Sequence, residues 1–216
     1  MFKVESDFIF HNVGQGLFYS GKISLQNTTF RFVYDCGSEN VQLVNTAVKK
    51  FEQNTKDNPI NLLIISHLHY DHTSGLDKLL SDFKVCDVIL PYFSPVERLL
   101  ISLKKPKLPP WYYEFLSDPV VFLIEKGVDR IIILGGTKGN KSEMKLSDFD
   151  LTSLKDDSSL KLNIKKLTND EELLKKIREQ DSKWREHIES EKLLVKNHNG
   201  YATTLGIWIF RFFNYK

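Results

Sequence analysis

Apolar and polar positions along the chain change period once near its start. "DFIFHNV", "LFYSGKISLQ" and "TTFRFVYDCG" are rich in Phe, Val, Ile and Tyr, with Gly and Asn between them, which predicts strands of one sheet. After Asp35-Cys36-Gly37, Val41, Val44, Val48 and Phe51 recur at three- and four-residue spacing, the mark of a helix with one buried stripe. "INLLIIS", from Ile60 to Ser66, is a continuous apolar run and predicts a strand buried on both faces. "LDKLLSDF" then predicts a short helix and "VCDVILP" another strand. This alternation predicts parallel strands with covering helices, where ligands gather at the carboxyl ends of the strands.

Downstream, "SPVERLLISLKK" reads as a helix. "PKLPPWYYEFLSD", with three prolines and four aromatics, reads as a packed connection, and its aromatics as buried area more than as a cleft lining. "PVVFLIEKG" reads as a helix with Pro119 at its first position after Asp118, and "DRIIILGG" as a buried strand. Thr137 to Ser159 reads as exposed loop with one weak strand. "NDEELLKKIREQDSKWREHIESEKLLVKN" is the longest helical signal: Leu173, Ile177, Trp184 and Ile188 form its apolar stripe, and Asn169 or Asp170 its cap. It predicts an amphipathic surface helix packed on the core. "GYATTLGIWIFRFF" reads as a final strand, after which the chain stops.

Composition narrows the class. At 216 residues the chain is expected to form one domain over 1–216, and 41% apolar with 27% charged residues is the balance of a folded globular protein. No run approaches the roughly 20 apolar residues of a membrane helix and no signal peptide starts the chain, so the expectation is a cytoplasmic protein without a membrane partner. Cys36 and Cys86, far apart, are expected as buried thiols. Thirty basic against 28 acidic residues give +2, which argues against a surface that coats nucleic acid without excluding a nucleic-acid substrate.

Chemistry concentrates in "IISHLHYDHTSGL", Ile64 to Leu76, which holds His67, His69, Asp71 and His72. Two histidines at i and i+2 in extended geometry project to one side and can close on one ion, for which imidazole suits zinc. Asp71 and His72 follow as the chain turns and offer a carboxylate oxygen and a third imidazole to a second ion. Two such ions can hold a bridging hydroxide, a nucleophile available at neutral pH. The plain alternative is a set of loop histidines without a ligand.

"SHLHYDHTSGL" after "INLLII" resembles the HxHxDH signature of the metallo-β-lactamase superfamily. "HNVGQGLFYSG" resembles the VGQG turn of its competence-protein-like branch, and "FVYDCGS" the superfamily's apolar strand ending in Asp-x-Gly. The resemblance spans approximately residues 8 to 92. It implies an α/β (α+β) fold of the αββα sandwich type with the metal site at one edge between two sheets. It also implies a hydrolase, in many branches of phosphodiesters, acting through a metal-bound hydroxide with one or two zinc ions, manganese being the alternative metal. Carried over by position, His67 and His69 bind the first metal, Asp71 and His72 the second, with Asp71 also the catalytic carboxylate. Asp35 is a bracing residue behind the histidine loop, a role that a turn aspartate resembles closely. Gly14, Gly16, Gly37 and Gly75 answer backbone requirements, and His11 or Gln15 is a weaker candidate for ligand contact.

Family members also supply a third histidine to the first metal, a bridging aspartate in a Gly-Asp, and a last histidine. Of the histidines left here, His187 falls on a helix face, and His198 in "NHNGYATTLGIWIF" is a candidate further ligand. No Gly-Asp follows it, and the expectation is a sandwich incomplete at its C-terminus, the N-terminal part of a longer hydrolase. Three readings stay open: a zinc-dependent hydrolase of small-molecule or nucleic-acid-type substrates; a non-catalytic scaffold or binding module with a weak metal site; and an interaction protein in which the long charged helix is the working part. Oligomeric state is not legible.

Overall fold

In a computed structural model of the chain, residues 3–55, 58–104, 107–136 and 160–212 are described. The first three strands, β1 (Val4–Phe10), β2 (Phe18–Leu25) and β3 (Thr28–Cys36), form an antiparallel meander. Helix α1 (Val41–Thr55) then carries the chain to β4 (Ile60–Ile64), which pairs parallel to β3. Short helices α2 (Tyr70–Thr73) and α3 (Leu76–Asp82) lead to β5 (Val85–Pro91). Three more, α4 (Pro95–Leu103), α5 (Pro110–Ser117) and α6 (Pro119–Glu125), lead to β6 (Arg130–Gly135). Helix α7 (Glu171–Gln180), a 3-10 turn and α8 (Arg185–Glu189) precede β7 (Leu193–Asn197). The result is one mixed sheet in the order β1-β2-β3-β4-β5-β6-β7, parallel from β3 onward, and a separate hairpin of β8 (Tyr201–Thr204) and β9 (Trp208–Arg211).

The strict two-residue period of the central strands sorts their side chains into two cores. Val33, Leu63, Val88, Ile131, Ile133 and Leu193 face the helices, where Val44 and Val48 of α1 and Leu76 and Leu79 of α3 are buried. Phe32, Leu62, Ile64, Ile89, Ile132 and Leu134 face the other way and are covered by Leu162, Leu167, Ala202, Leu205 and Phe210. The expected α/β fold with a central sheet is present. Among the described residues, the second sheet of the sandwich consists of the β8–β9 hairpin.

Three elements differ from their sequence reading. The segment expected as a packed connection contains α5: Pro109 and Pro110 sit at the N-cap and first turn, where a missing N–H costs nothing, and Tyr112, Phe115 and Leu116 are buried. The long helix breaks at Asp181, and its last part is β7. Asp181 is pulled off the helical path by a buried ion pair with Arg98 and a 2.8 Å hydrogen bond from Tyr92, and the open edge of β6 takes up Leu193–Asn197. The final strand is a hairpin, because Leu205 and Gly206, at φ 53° and 64°, turn the chain back after Thr204. The loop expected over Thr137 to Ser159 lies outside the described residues.

Candidate metal centre

The histidine loop begins where β4 ends. Ile65 N–H still bonds Ile89 O at 2.8 Å, and then the backbone leaves the sheet. Leu68 points inward, only 1% exposed, so its neighbours His67 and His69 project to the opposite side. Tyr112 Oη donates to Leu68 O at 2.8 Å and ties α5 to the loop. Thr73 Oγ1 donates to His69 O at 3.0 Å and closes the turn that carries Asp71 and His72.

The glycine motifs upstream are built against this turn. Leu17 N–H reaches Asp71 O at 3.4 Å and Gly37 N–H reaches Leu17 O at 2.9 Å, so the three segments lie backbone to backbone. A Cβ on Gly16, whose φ is 142°, would stand 2.5 Å from Gly37 O and 2.6 Å from Asp71 O. A Cβ on Gly37 would collide with the His72 and Asp71 backbone. Ser38 and Ser74 interlock beside them, Ser38 N–H donating to Ser74 Oγ at 2.8 Å and Ser74 Oγ donating to Ser38 O at 2.7 Å. The backbone requirement expected at these glycines is therefore specific: they let the first turn and the Asp-x-Gly strand end seat the Asp71–His72 peptide.

Asp35 organises the imidazoles. It is completely buried, at φ 55°, and accepts from Ser66 N–H at 2.7 Å, Ser66 Oγ at 2.6 Å and His72 Nδ1 at 2.8 Å. Because a carboxylate only accepts, His72 must carry its proton on Nδ1. Ser66 Oγ spends its proton on Asp35, so it accepts from His67 Nδ1, 2.8 Å away. His69 Nε2 faces the Lys104 ammonium at 3.4 Å, and an ammonium only donates. Each of the three rings is thus held with Nε2 unprotonated, the form a metal takes; on His69 that lone pair accepts from Lys104, which a metal would have to displace.

Ligand atoms of Asp35, His67 and His72 lie within 4.8 Å of one another. Both Asp35 oxygens are already occupied from within the protein, which leaves the imidazoles to face outward. The His67 ring lies 3.8 Å from that of His72 and 5.1 Å from that of His69, centre to centre. His72 Nε2 and Asp71 Oδ2 stand 3.5 Å apart. With Nδ1 protonated toward Asp35, a neutral His72 sets its Nε2 lone pair against the Asp71 carboxylate, an arrangement that a cation, whether a proton or a metal, reconciles. The donor set therefore fits a divalent metal. Burial pushes the His67 pKa down, with His72 adding to it when that ring is protonated, and burial followed by Lys104 does the same to His69. The bond to Asp35 raises that of His72.

His198 stands apart from this group. Its Nδ1 donates to Gly135 O at 2.7 Å, which again leaves Nε2 bare, and with Ser66 it lines a cavity of about 410 Å³ between the two sheets. His11 is packed away, stacked on Phe18 at 3.9 Å with Nε2 on Ser20 Oγ at 2.8 Å. Two participants escaped the sequence reading. Ser66 closes the apolar run that begins at Ile60 but has no signal of its own, and Lys104 reaches His69 only through tertiary packing. A larger cleft of about 520 Å³ opens beside His67 at the carboxyl ends of β4 to β7, between Tyr92, Phe93, Gly135, Glu172 and Lys176.

Residues 23–96 match the family model of the metallo-beta-lactamase superfamily, a span that includes β3, β4, Asp35 and the whole histidine loop. Comparison with curated proteins gives no match. The matched segment, its fold and the candidate metal-holding group together support a metal-dependent hydrolase fold.

Proposed function

We propose that the protein is a metal-dependent hydrolase of phosphodiester or nucleic-acid-type substrates, of the competence-like branch, working in the cytoplasm with zinc as its metal. The observation that carries this reading is the set of three imidazoles, each fixed by a hydrogen bond with Nε2 unprotonated, beside Asp71 at the carboxyl end of a buried parallel strand. His67 and His69 would hold a first ion, with His198 as a further ligand, and Asp71 with His72 a second. Bound there, the metal would supply Lewis-acid charge to polarise the scissile group. Asp35 holds the His72 ring and its tautomer, and Asp71, whose Oδ2 lies 3.5 Å from His72 Nε2, would be the catalytic carboxylate. Lys104 adds positive charge at the rim, which suits an anionic substrate in the adjoining cleft. The unpaired Cys36 and Cys86 agree with a reducing compartment. Among the described residues, no helix is long and apolar enough to cross a membrane.

A non-catalytic module with one weakly held ion is the second reading, favoured by the origin of four candidate ligands in a single loop. Elemental analysis of the purified protein, with hydrolysis of bis(p-nitrophenyl) phosphate, separates the two. Near-stoichiometric zinc or manganese and turnover, both lost in His67→Ala/His69→Ala, support the hydrolase. Metal without turnover supports the module, and a folded protein that takes up no metal overturns both.

A further inference from the structure

Helix α4 presents its apolar side to solvent. Val96, Leu99, Leu100 and Leu103 follow the i, i+3, i+4, i+7 spacing of a buried stripe, yet they are 65%, 58%, 55% and 70% exposed. The inward side carries Ile101 and Arg98 instead. Arg98 is 3% exposed, pairs with Asp181 and lies over the Trp184 ring at 5.3 Å. Asp181 also accepts from Tyr92 Oη, and Trp184 Nε1 donates to Asp118 Oδ1 at 2.8 Å. Ser94 and Glu97 close a reciprocal capping box at the start of the helix. Rolling α4 to bury its leucines would strip Arg98 of its carboxylate, so the outward ridge is held in place by the ion pair beneath it. A contiguous apolar ridge of this kind is where a partner lands.

We propose that α4 is a self-association surface, which packs antiparallel against α4 of a second copy of this chain across a two-fold axis. The ridge is self-complementary in that orientation: Val96 falls opposite the partner's Leu103, and Leu99 opposite the partner's Leu100. Lys104, which makes no ion pair among the described residues, then meets the helix start that carries Glu97; a parallel pairing would set Lys104 beside its own copy. Such an isologous contact closes on itself as a dimer. An anionic lipid surface fits less well, because the carboxylate of Glu97 borders the same ridge. The four side chains would bury on the order of 450 Å² per protomer, below the roughly 800 Å² of a standard interface. The dimer is accordingly one that dissociates in the micromolar range. Because Lys104 also touches His69, the interface borders the histidine cluster.

Sedimentation velocity of the purified chain over about 1–200 μM tests this without reference to any activity. The expected result is a monomer–dimer equilibrium that Leu99→Gln/Leu103→Gln weakens at least about tenfold, as loss of central apolar anchors does. Lys104→Glu should weaken it several-fold. Far-UV circular dichroism confirms that the variants fold, and Leu103→Arg alone serves if the double variant does not. A monomer at every concentration overturns the proposal, as does a dimer indifferent to these substitutions. Leu99-dependent sedimentation of a monomer with phosphatidylglycerol vesicles also overturns it, in favour of a lipid occupant.

Discussion

Asp35→Asn isolates the carboxylate that sets the histidine tautomers. Asparagine tolerates a positive φ, so the backbone at 55° carries no new strain and the side chain keeps its volume. One oxygen can still accept from Ser66 N–H, but the other becomes an NH2 aimed at Ser66 Oγ and His72 Nδ1, 2.8 Å from the ring. The hydroxyl can rotate to accept. His72 can accept only by moving its proton to Nε2, the nitrogen that faces Asp71. Loss of a bracing partner of this kind costs about 10–100-fold in metal affinity, or about 1.4–2.7 kcal/mol. Zinc titration against a competing chelator, on wild type and variant at the same pH, measures this directly. A variant whose affinity stays within threefold, with an unchanged circular dichroism spectrum, would refute the tautomer argument and with it the bracing role of Asp35.

The remaining predictions concern the frame around the site. Asp181→Ala removes the buried partner of Arg98, whose Nε and Nη1 already lack acceptors, and should cost about 3–5 kcal/mol in urea unfolding; replacing both residues by apolar ones of similar size should cost far less. Gly37→Ala drives a methyl into the Asp71–His72 backbone and should both lower the melting temperature and abolish metal uptake, whereas Gly127→Ala, where a Cβ meets nothing within 4 Å but φ is 83°, should leave uptake intact at a modest cost in stability. Burial pushes the His11 pKa down to about 4, below its ordinary 6.5, so the unfolded chain binds the proton more readily. Its contribution is therefore intact above pH 6.5 and is lost as pH falls from 6.5 to about 4. After discounting for a partly exposed ring, that loss is on the order of 1–2 kcal/mol. His11→Gln should flatten the dependence of the urea midpoint on pH across that window, and an unchanged slope would show that the ring is not the source.

Legibility from sequence followed the range of the interactions. The strands β2 to β6 and helix α1 could be placed because each follows from local period: Leu63 and Ile64 have no polar alternative, and Val44, Val48 and Phe51 share one helical face. The loop His67–His72 was legible because its residues are adjacent in the chain. Asp35, 31 residues before Ser66, was legible only through resemblance to a known motif. Helix α7 and strand β7 were run together, since nothing in "SEKLLVKN" shows that β6 offers an open edge. The direction of α4 was also hidden, because the same leucine spacing serves a core or a surface.

By itself, the sequence determined the alternation of strand and helix, the position of the histidine loop after a buried strand, and the residue types able to hold a metal. These depend on side-chain period and on chemistry within a few residues. Only the tertiary structure decided which nitrogen of each ring is unprotonated, that Ser66 and Lys104 stand beside the histidines, and that Arg98 and not the leucines of α4 faces inward. The proton's place on His69 and His72, and a helix's rotation about its axis, are set by partners tens of residues away. The fold brings those partners within hydrogen-bond reach, 2.8 Å at His72 and 3.4 Å at His69; the order of the chain does not.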